Sequence, residues 1–384
     1  MSDDKREKDA LDLYLAASAS MVYELNGAAE CMVNSTPARL IYGDEVLTFS
    51  AITGVTTSRI ARNQGAASKV LAQVMAEDAN AGAVVSGLGA FEQGFYNRLG
   101  YAMGNYEHWI GFDPAWLVPM EKPPIPSRFE LSSWKAIHAS RLTRRKVHGA
   151  LDLLPPEITK CEMMWEKNTF GLGYKKGGKI THCVVMAAND VEIGPYRVLW
   201  MTYQNFRQLK ELLALVAGLG DQIRLLKMRE PREIQMQDFI RKPFQLQTIT
   251  KSSKFEASTK AEAYWQMRIL KLRPCIAALS CSTELTFNMR VHDPVENYLP
   301  KGSSWRGCSG DYTVTLGSKS AIKKGTQTGI ETLSTSIGDF TRFWTGIQSA
   351  EALTITGEFA ASDKLVSDLD RTVALQRPAP DWDY

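Results

Sequence analysis

One run, from Val46 to Tyr101, constrains this chain more than any other. Val46-Leu47-Thr48-Phe49-Ser50-Ala51-Ile52-Thr53-Gly54-Val55 is rich in β-branched and aromatic residues and flanked by turn formers, which predicts a strand. Arg62-x-x-Gly65-x-Ala67 follows, and apolar residues then recur at Ala67, Val70, Leu71, Val74 and Met75. That is helical spacing, and it predicts a helix over 65–79 with one buried face. Ala83–Leu88 reads as a second strand, and Phe91–Tyr101 as a turn and a short helix. Strand, turn, helix, strand is the grammar of an α/β fold.

The turn between the first strand and its helix has a chemistry of its own. A small residue at Gly65 lets backbone N–H groups approach a ligand closely. The helix that begins there adds unpaired N–H groups and the positive end of its dipole, so the turn suits a pyrophosphate. Arg62 can add a bidentate phosphate contact. In this form the segment resembles the acetyl-CoA loop of the GNAT superfamily of N-acetyltransferases: Gln or Arg, two residues, Gly, one residue, then Gly or Ala. Gly94-Phe95-Tyr96-Asn97-Arg98-Leu99-Gly100-Tyr101 is similar to the Gly-x-Tyr-x-Arg-x-Gly-Tyr run of the enhanced intracellular survival (Eis) acetyltransferases. The two motifs stand in the family's order, one helix and one strand apart.

Composition bounds the rest. The chain has 384 residues, long for one domain, and its 44% hydrophobic and 23% charged content is ordinary for globular proteins. A net charge of +3 argues for neither nucleic acid nor an anionic membrane as partner. No run of about 18 apolar residues predicts a membrane span. The polar Met1–Asp9 is unlike a leader peptide, so a cytoplasmic location is expected. The six cysteines and five histidines lack metal-site or Cys-x-x-Cys spacing, which predicts reduced thiols and no metal.

Read in order, residues 4–18 form a short helix or arm. Met21–Leu25, Ala29–Val33 and Arg39–Tyr42 form a strand meander turned at Asn26-Gly27 and Gly43-Asp44. The loop arrives by residue 62, so the helices that roof a GNAT substrate cleft are short or missing. His108–Asp113 reads as the closing strand of the first domain, and Pro114, Pro119, Pro123, Pro124 and Pro126 mark a linker with a boundary near 125. Residues 126–275 repeat the α/β pattern, with helices over Ser132–His148, Glu157–Asn168 and Phe206–Leu219. The matching turn, Gln204-Asn205-Phe206-Arg207-Gln208-Leu209, has no glycine, so this domain reads as a structural duplicate without a second active site. The basic run Arg141–Lys146 reads as a solvated helix face. From 276 the chain shifts to short β runs, with helical patterns at Gly338–Gly346 and Lys364–Leu375. The expected architecture is α/β: a catalytic GNAT domain (1–125), a degenerate GNAT-like domain (126–275), and, by the Eis resemblance, an α+β sterol-carrier-like domain (276–384).

The resemblance implies an acetyl-CoA-dependent N-acetyltransferase that moves acetyl directly to a primary amine in a ternary complex. Cofactor contacts fall on Val55, Thr56, Thr57, Arg62, Asn63, Gln64, Gly65, Ala66, Ala67 and Phe91, with backbone N–H groups at Val55 and Thr57 polarising the carbonyl. Relatives carry a small polar residue where Phe91 stands, next to the acetyl end. Tyr96 becomes the general acid; read without the family, Phe95, Tyr96 and Leu99 are one buried helix face. The family's C-terminal carboxylate, here Tyr384, becomes the base, and Asp383 pairs with a cationic substrate. An unperturbed α-carboxylate has a pKa of about 3.3–3.7, so this base needs burial or acts by orienting the amine. The family further implies a small-molecule acceptor of aminoglycoside or polyamine type and a hexamer. Acetylation of protein lysines, or a degenerate module that only binds CoA or assembles, remain as alternatives.

Overall fold

Asn26 (φ 54°) and Gly27 (φ 79°) close the first hairpin, the paired left-handed conformation that an Asn-Gly turn adopts at least cost. The computed structural model describes residues 5–118, 120–243 and 256–383. These fold into two units that interleave along the chain: residues 18–105, 147–154 and 263–384 in one, and residues 1–17, 106–146 and 155–262 in the other.

The first unit is built on a seven-stranded sheet. Its strands are β1 (Ala19–Leu25), β2 (Ala28–Tyr42), β3 (Glu45–Thr57), β4 (Val85–Gly89), β5 (Ala102–Met103), β6 (Leu151–Leu153) and β7 (Trp265–Ile269). The order is β1-β2-β3-β4-β7-β5, with β6 paired to β2; only β3 and β4 run parallel. The two strands expected over 29–33 and 39–42 are one. A bulge at Asn34/Ser35 absorbs the irregularity, and Pro37 keeps its carbonyl in use as acceptor for Leu154 N at 3.0 Å.

The parallel pair is joined by helix α1 (Ala66–Asn80), whose Val70, Leu71, Val74 and Met75 pack with Val33, Ile52, Leu88, Leu99 and Tyr101. Asp78 pins it to the sheet, accepting from Ser50 Oγ at 2.6 Å and Ser35 Oγ at 3.2 Å. Burial raises the carboxyl's pKa. A five-residue helix, α2 (Gln93–Asn97), follows β4. The same unit holds a five-stranded sheet in the order Ala321–Lys324, Gly310–Leu316, Leu285–His292, Thr332–Ser336, Phe359–Ala360, with helices Ile337–Trp344, Ala350–Thr356 and Asp363–Thr372.

The second unit holds another seven-stranded sheet, in the order Ser258–Glu262, Glu107–Phe112, Leu226–Arg229, Tyr196–Thr202, Lys179–Ala188, Thr169–Lys176, Ser127–Phe129. The helix Lys5–Ala16 belongs to it, with Tyr14 and Trp165 edge-on at 5.2 Å. The first sheet begins at Ala19, and β1 passes to β2 through the Asn26-Gly27 turn.

Four expectations are corrected. Glu107–Phe112 does not close the first sheet; it pairs with Leu226–Arg229 and Ser258–Glu262 in the second. The chain does not divide near 125, because Val118 N and Trp116 O are hydrogen-bonded to Phe239 and Arg241. Trp265–Ile269, expected in the second domain, completes the first sheet between β4 and β5. The basic run is not a solvated face either. Its helix ends at Leu142, and Arg141, 3% exposed, lies 4.0 Å over the Trp200 ring and pairs with Glu162. Pro119 and Tyr384 lie outside the described residues. The six cysteines are free and buried. No described helix is long and apolar enough to cross a membrane.

Candidate active site

Strands β3 and β4 pair from Phe49↔Val85 to Ile52↔Leu88 and no further. β3 runs on to Thr57 while β4 stops at Gly89, so the strands part at Ile52. Among the described residues no strand covers that edge of Thr53–Thr57, leaving backbone donors and acceptors for a ligand.

The turn after β3 is held by its own atoms. Ser58 N donates to Glu30 O at 2.8 Å, and Gln64 Nε2 to Ile60 O at 2.7 Å. Asn63 (φ 61°) and Gly65 (φ 74°) take left-handed conformations that turn the chain into helix α1. Gly65 is the N-cap, and among the described residues no side chain caps this helix. No acidic residue stands in its first turn. The leading N–H groups and the helix dipole are thus open to an anion.

A cavity of about 900 Å³ lies at this point. Nine of the ten expected cofactor residues line it: Val55, Thr56, Thr57, Arg62, Asn63, Gly65, Ala66, Ala67 and Phe91. Gln64 does not, its amide being turned back onto the turn. Ala61, Ser68, Glu92, Phe95, Arg98 and Tyr298 line it as well. Glu92, Phe95 and Arg98 are interleaved with the Gly94–Tyr101 motif and could have been read from it; Tyr298 carried no sequence signal. Arg62 is exposed and, among the described residues, makes no ion pair or side-chain hydrogen bond. Glu92 is occupied: its carboxylate caps helix α2, accepting from Gly94 N at 3.1 Å and Phe95 N at 2.5 Å.

Tyr96 is not on the wall. It is 2% exposed and sits behind it in the core, edge-on to Phe95 at 5.0 Å and Phe91 at 6.1 Å. Among the described residues its hydroxyl has no hydrogen-bond partner. Burial first, and the Glu92 charge second, push its pKa up to about 12. Phe91, by contrast, is 82% exposed. Asp383 is exposed, and its Oδ1 accepts from Tyr264 Oη at 2.6 Å; the Tyr264 carbonyl in turn accepts from Ala90 N, the neighbour of Phe91. Among the described residues no cluster of three His, Cys, Asp or Glu side chains could hold a metal.

The second unit repeats the parting strands: Tyr196–Thr202 and Leu226–Arg229 pair only at Tyr196↔Leu226 and Arg197↔Lys227. Its helix, Phe206–Ala217, is capped by a side chain. Asn205 Oδ1 accepts from Gln208 N at 3.1 Å, and Gln208 Oε1 from Gln204 N at 2.7 Å. The Arg145 guanidinium lies 4.9 Å over the Phe206 ring. One leading N–H group of this helix is thus taken by a side chain, whereas among the described residues no side chain caps α1.

Residues 1–104 match the family model of the acetyltransferase (GNAT) domain. No curated protein matches the sequence. Among solved structures, the chain is similar to a conserved protein of unknown function from Enterococcus faecalis V583, described as a probable N-acyltransferase, at 16% identity and a TM-score of 0.80, over 100% of this chain and 93% of that one. It is similar to a GCN5-related N-acetyltransferase from Anabaena variabilis at 14% identity and 0.76, over 97% and 92%. Eis1 from Mycobacterium abscessus aligns at 12% identity and 0.74, over 100% and 99%. At these identities the likeness is one of fold. Over residues 1–104 the match is to a GNAT acetyltransferase domain, the domain of an acetyl-transferring enzyme.

Proposed function

We propose that the protein is an N-acetyltransferase of the Eis type, moving an acetyl group from acetyl-CoA to a primary amine by direct transfer. One observation carries the reading: the start of helix α1 and the end of β3 beyond its pairing with β4 open on one large cavity. The residues present fit acetyl-CoA. The N–H groups of Ala66, Ala67 and Ser68, with Arg62, would hold the pyrophosphate, and the free edge at Val55 and Thr57 would bond the pantetheine amides. When bound, acetyl-CoA supplies the acetyl thioester.

Backbone N–H groups near Val55 would orient and polarise the carbonyl. Tyr96 would act as general acid. With a pKa near 12 its phenol keeps the proton at neutral pH and stabilises the leaving sulfur chiefly by hydrogen bonding. Its burial behind Phe91 and Phe95 calls for a small movement of those rings on binding. The base role of Tyr384 and the substrate-pairing role of Asp383 rest on the resemblance, and the Asp383–Tyr264 contact supports them. We assign by the same resemblance a catalytic role to the part of the chain that carries the Gly65 turn, a degenerate GNAT-like role to the second unit, a sterol-carrier-like C-terminal part, an aminoglycoside- or polyamine-like acceptor, a hexamer and a cytoplasmic location.

The test is thiol release from acetyl-CoA with a panel of amines, comparing the whole chain, an Arg62→Ala variant and a chain lacking Asp383-Tyr384. Amine-dependent turnover that falls sharply in both altered chains supports the reading. CoA binding without turnover for any amine replaces it with a non-catalytic CoA-binding module.

A further inference from the structure

The cavity is not built by the matched GNAT segment alone. Tyr298, far downstream in the chain, stands on its wall. It is the last residue of the 3-10 helix Pro294–Tyr298, which packs on helix α1. The base of that helix is fixed by a buried ion pair: Asp293 accepts from Arg268 Nη2 at 2.6 Å, from Val295 N at 3.2 Å and from Cys308 N at 2.8 Å. Val295 is fully buried, and Tyr298 is half-buried against the same core. The tyrosine is therefore held in place and presents its remaining surface to the cavity.

Arg98 lines the same cavity. It is exposed, and its side-chain hydrogen bond among the described residues is a long one, to the Gly94 carbonyl at 3.4 Å. The α1 N-terminus and Arg62 suffice for a diphosphate. That leaves a second open guanidinium and an aromatic ring on the wall. An aromatic ring and an exposed guanidinium lining one cavity suit a purine base on a sugar that bears a further phosphate: stacking on the ring, paired hydrogen bonds to the phosphate.

Resting on the acetyl-CoA reading above, we infer that Tyr298 and Arg98 read the nucleotide end of CoA, adenine and 3′-phosphate respectively. The enzyme then selects CoA thioesters over thioesters of the same pantetheine arm that lack the nucleotide. A residue outside the GNAT-matched segment thereby completes the cofactor site.

The test is calorimetric titration of the full chain with CoA, 3′-dephospho-CoA and 4′-phosphopantetheine, for the unaltered protein and for Tyr298→Phe, Tyr298→Leu and Arg98→Gln. The unaltered protein should bind CoA at least about tenfold more tightly than 4′-phosphopantetheine, as one stacked base implies. Tyr298→Leu keeps the apolar packing and should weaken CoA about tenfold while leaving 4′-phosphopantetheine within about twofold; Tyr298→Phe should retain CoA affinity. Arg98→Gln should weaken CoA but not 3′-dephospho-CoA. Equal affinity of the unaltered protein for CoA and 4′-phosphopantetheine overturns the inference and leaves the acetyl-CoA reading intact. Equal loss for both ligands in Tyr298→Leu also overturns it. Failure to bind any of the three ligands removes the acetyl-CoA reading itself.

Discussion

Arg268 Nη2 lies 2.6 Å from Asp293 Oδ2, and neither side chain is exposed to solvent. Arg268 also donates to the carbonyls of Leu99 and Ile269, so one guanidinium joins strand β7, the end of the Gly94–Tyr101 motif and the helix that carries Tyr298. Gly100 makes room for it: its φ is +79°, and a Cβ there would meet Arg268 Nη1 and Ile337 Cγ2 at 2.8 Å. The last glycine of the motif thus serves a buried ion pair.

Removing one partner strands the other charge without solvent. Asp293→Ala should cost about 3–5 kcal/mol, whereas the paired change Arg268→Met with Asp293→Leu should cost much less. Urea unfolding of the three proteins measures both. A loss below about 1 kcal/mol in Asp293→Ala would mean the cavity wall does not depend on the pair.

Gly65 presents the opposite case, since nothing lies within 4 Å of a Cβ built there. Gly65→Ala should then cost only the left-handed backbone strain, about 1–2 kcal/mol. The same change should weaken CoA binding at the uncapped helix start. A melting scan and a CoA titration separate the two effects, and a stability loss well beyond strain would point to a packing role instead.

The Tyr96 phenol is raised from 10.0 to about 12 by burial and by Glu92. A folded value above the unfolded one favours the protonated form. Its contribution to stability is therefore complete below pH 10 and is lost as pH rises through about 12. If Tyr96 is the acid, kcat should show no alkaline fall from its ionisation below about pH 10, and Tyr96→Phe should lower kcat by about 10²-fold with little change in KM for acetyl-CoA. An alkaline limb near pH 8–9 that persists in Tyr96→Phe would assign proton delivery to another group.

Phe91 is 82% exposed, so Phe91→Ser should change stability by no more than about 0.5 kcal/mol. Because its ring stands edge-on to Tyr96, the change should widen the acyl or acceptor end and raise kcat/KM for bulky amines relative to small ones. A panel of amines of graded size measures this. An unchanged ranking would place Phe91 outside the acceptor path.

Much of the site was legible because its parts are local. The Gly65 turn, the apolar period of α1 and the strands beside it are encoded within short spans, where backbone conformation and one-face burial follow from neighbouring residues. The helix after Gln204 begins with an asparagine N-cap in place of the glycine turn before α1, as the residues there allow. Tyr96 is buried, as the reading of its segment as one buried helix face expected, and packs edge-on against the wall residues Phe91 and Phe95.

What the sequence by itself determined was the order of elements from Val46 to Tyr101 and the left-handed glycine turn into α1, because helix period and turn conformation are properties of adjacent residues. Tertiary structure alone decided that Trp265–Ile269 enters the first sheet, that Glu107–Phe112 leaves it, and that Tyr298 completes the cavity. Strand partners and cavity walls are chosen by burial and hydrogen bonding between segments far apart in the chain, and no local pattern records that choice.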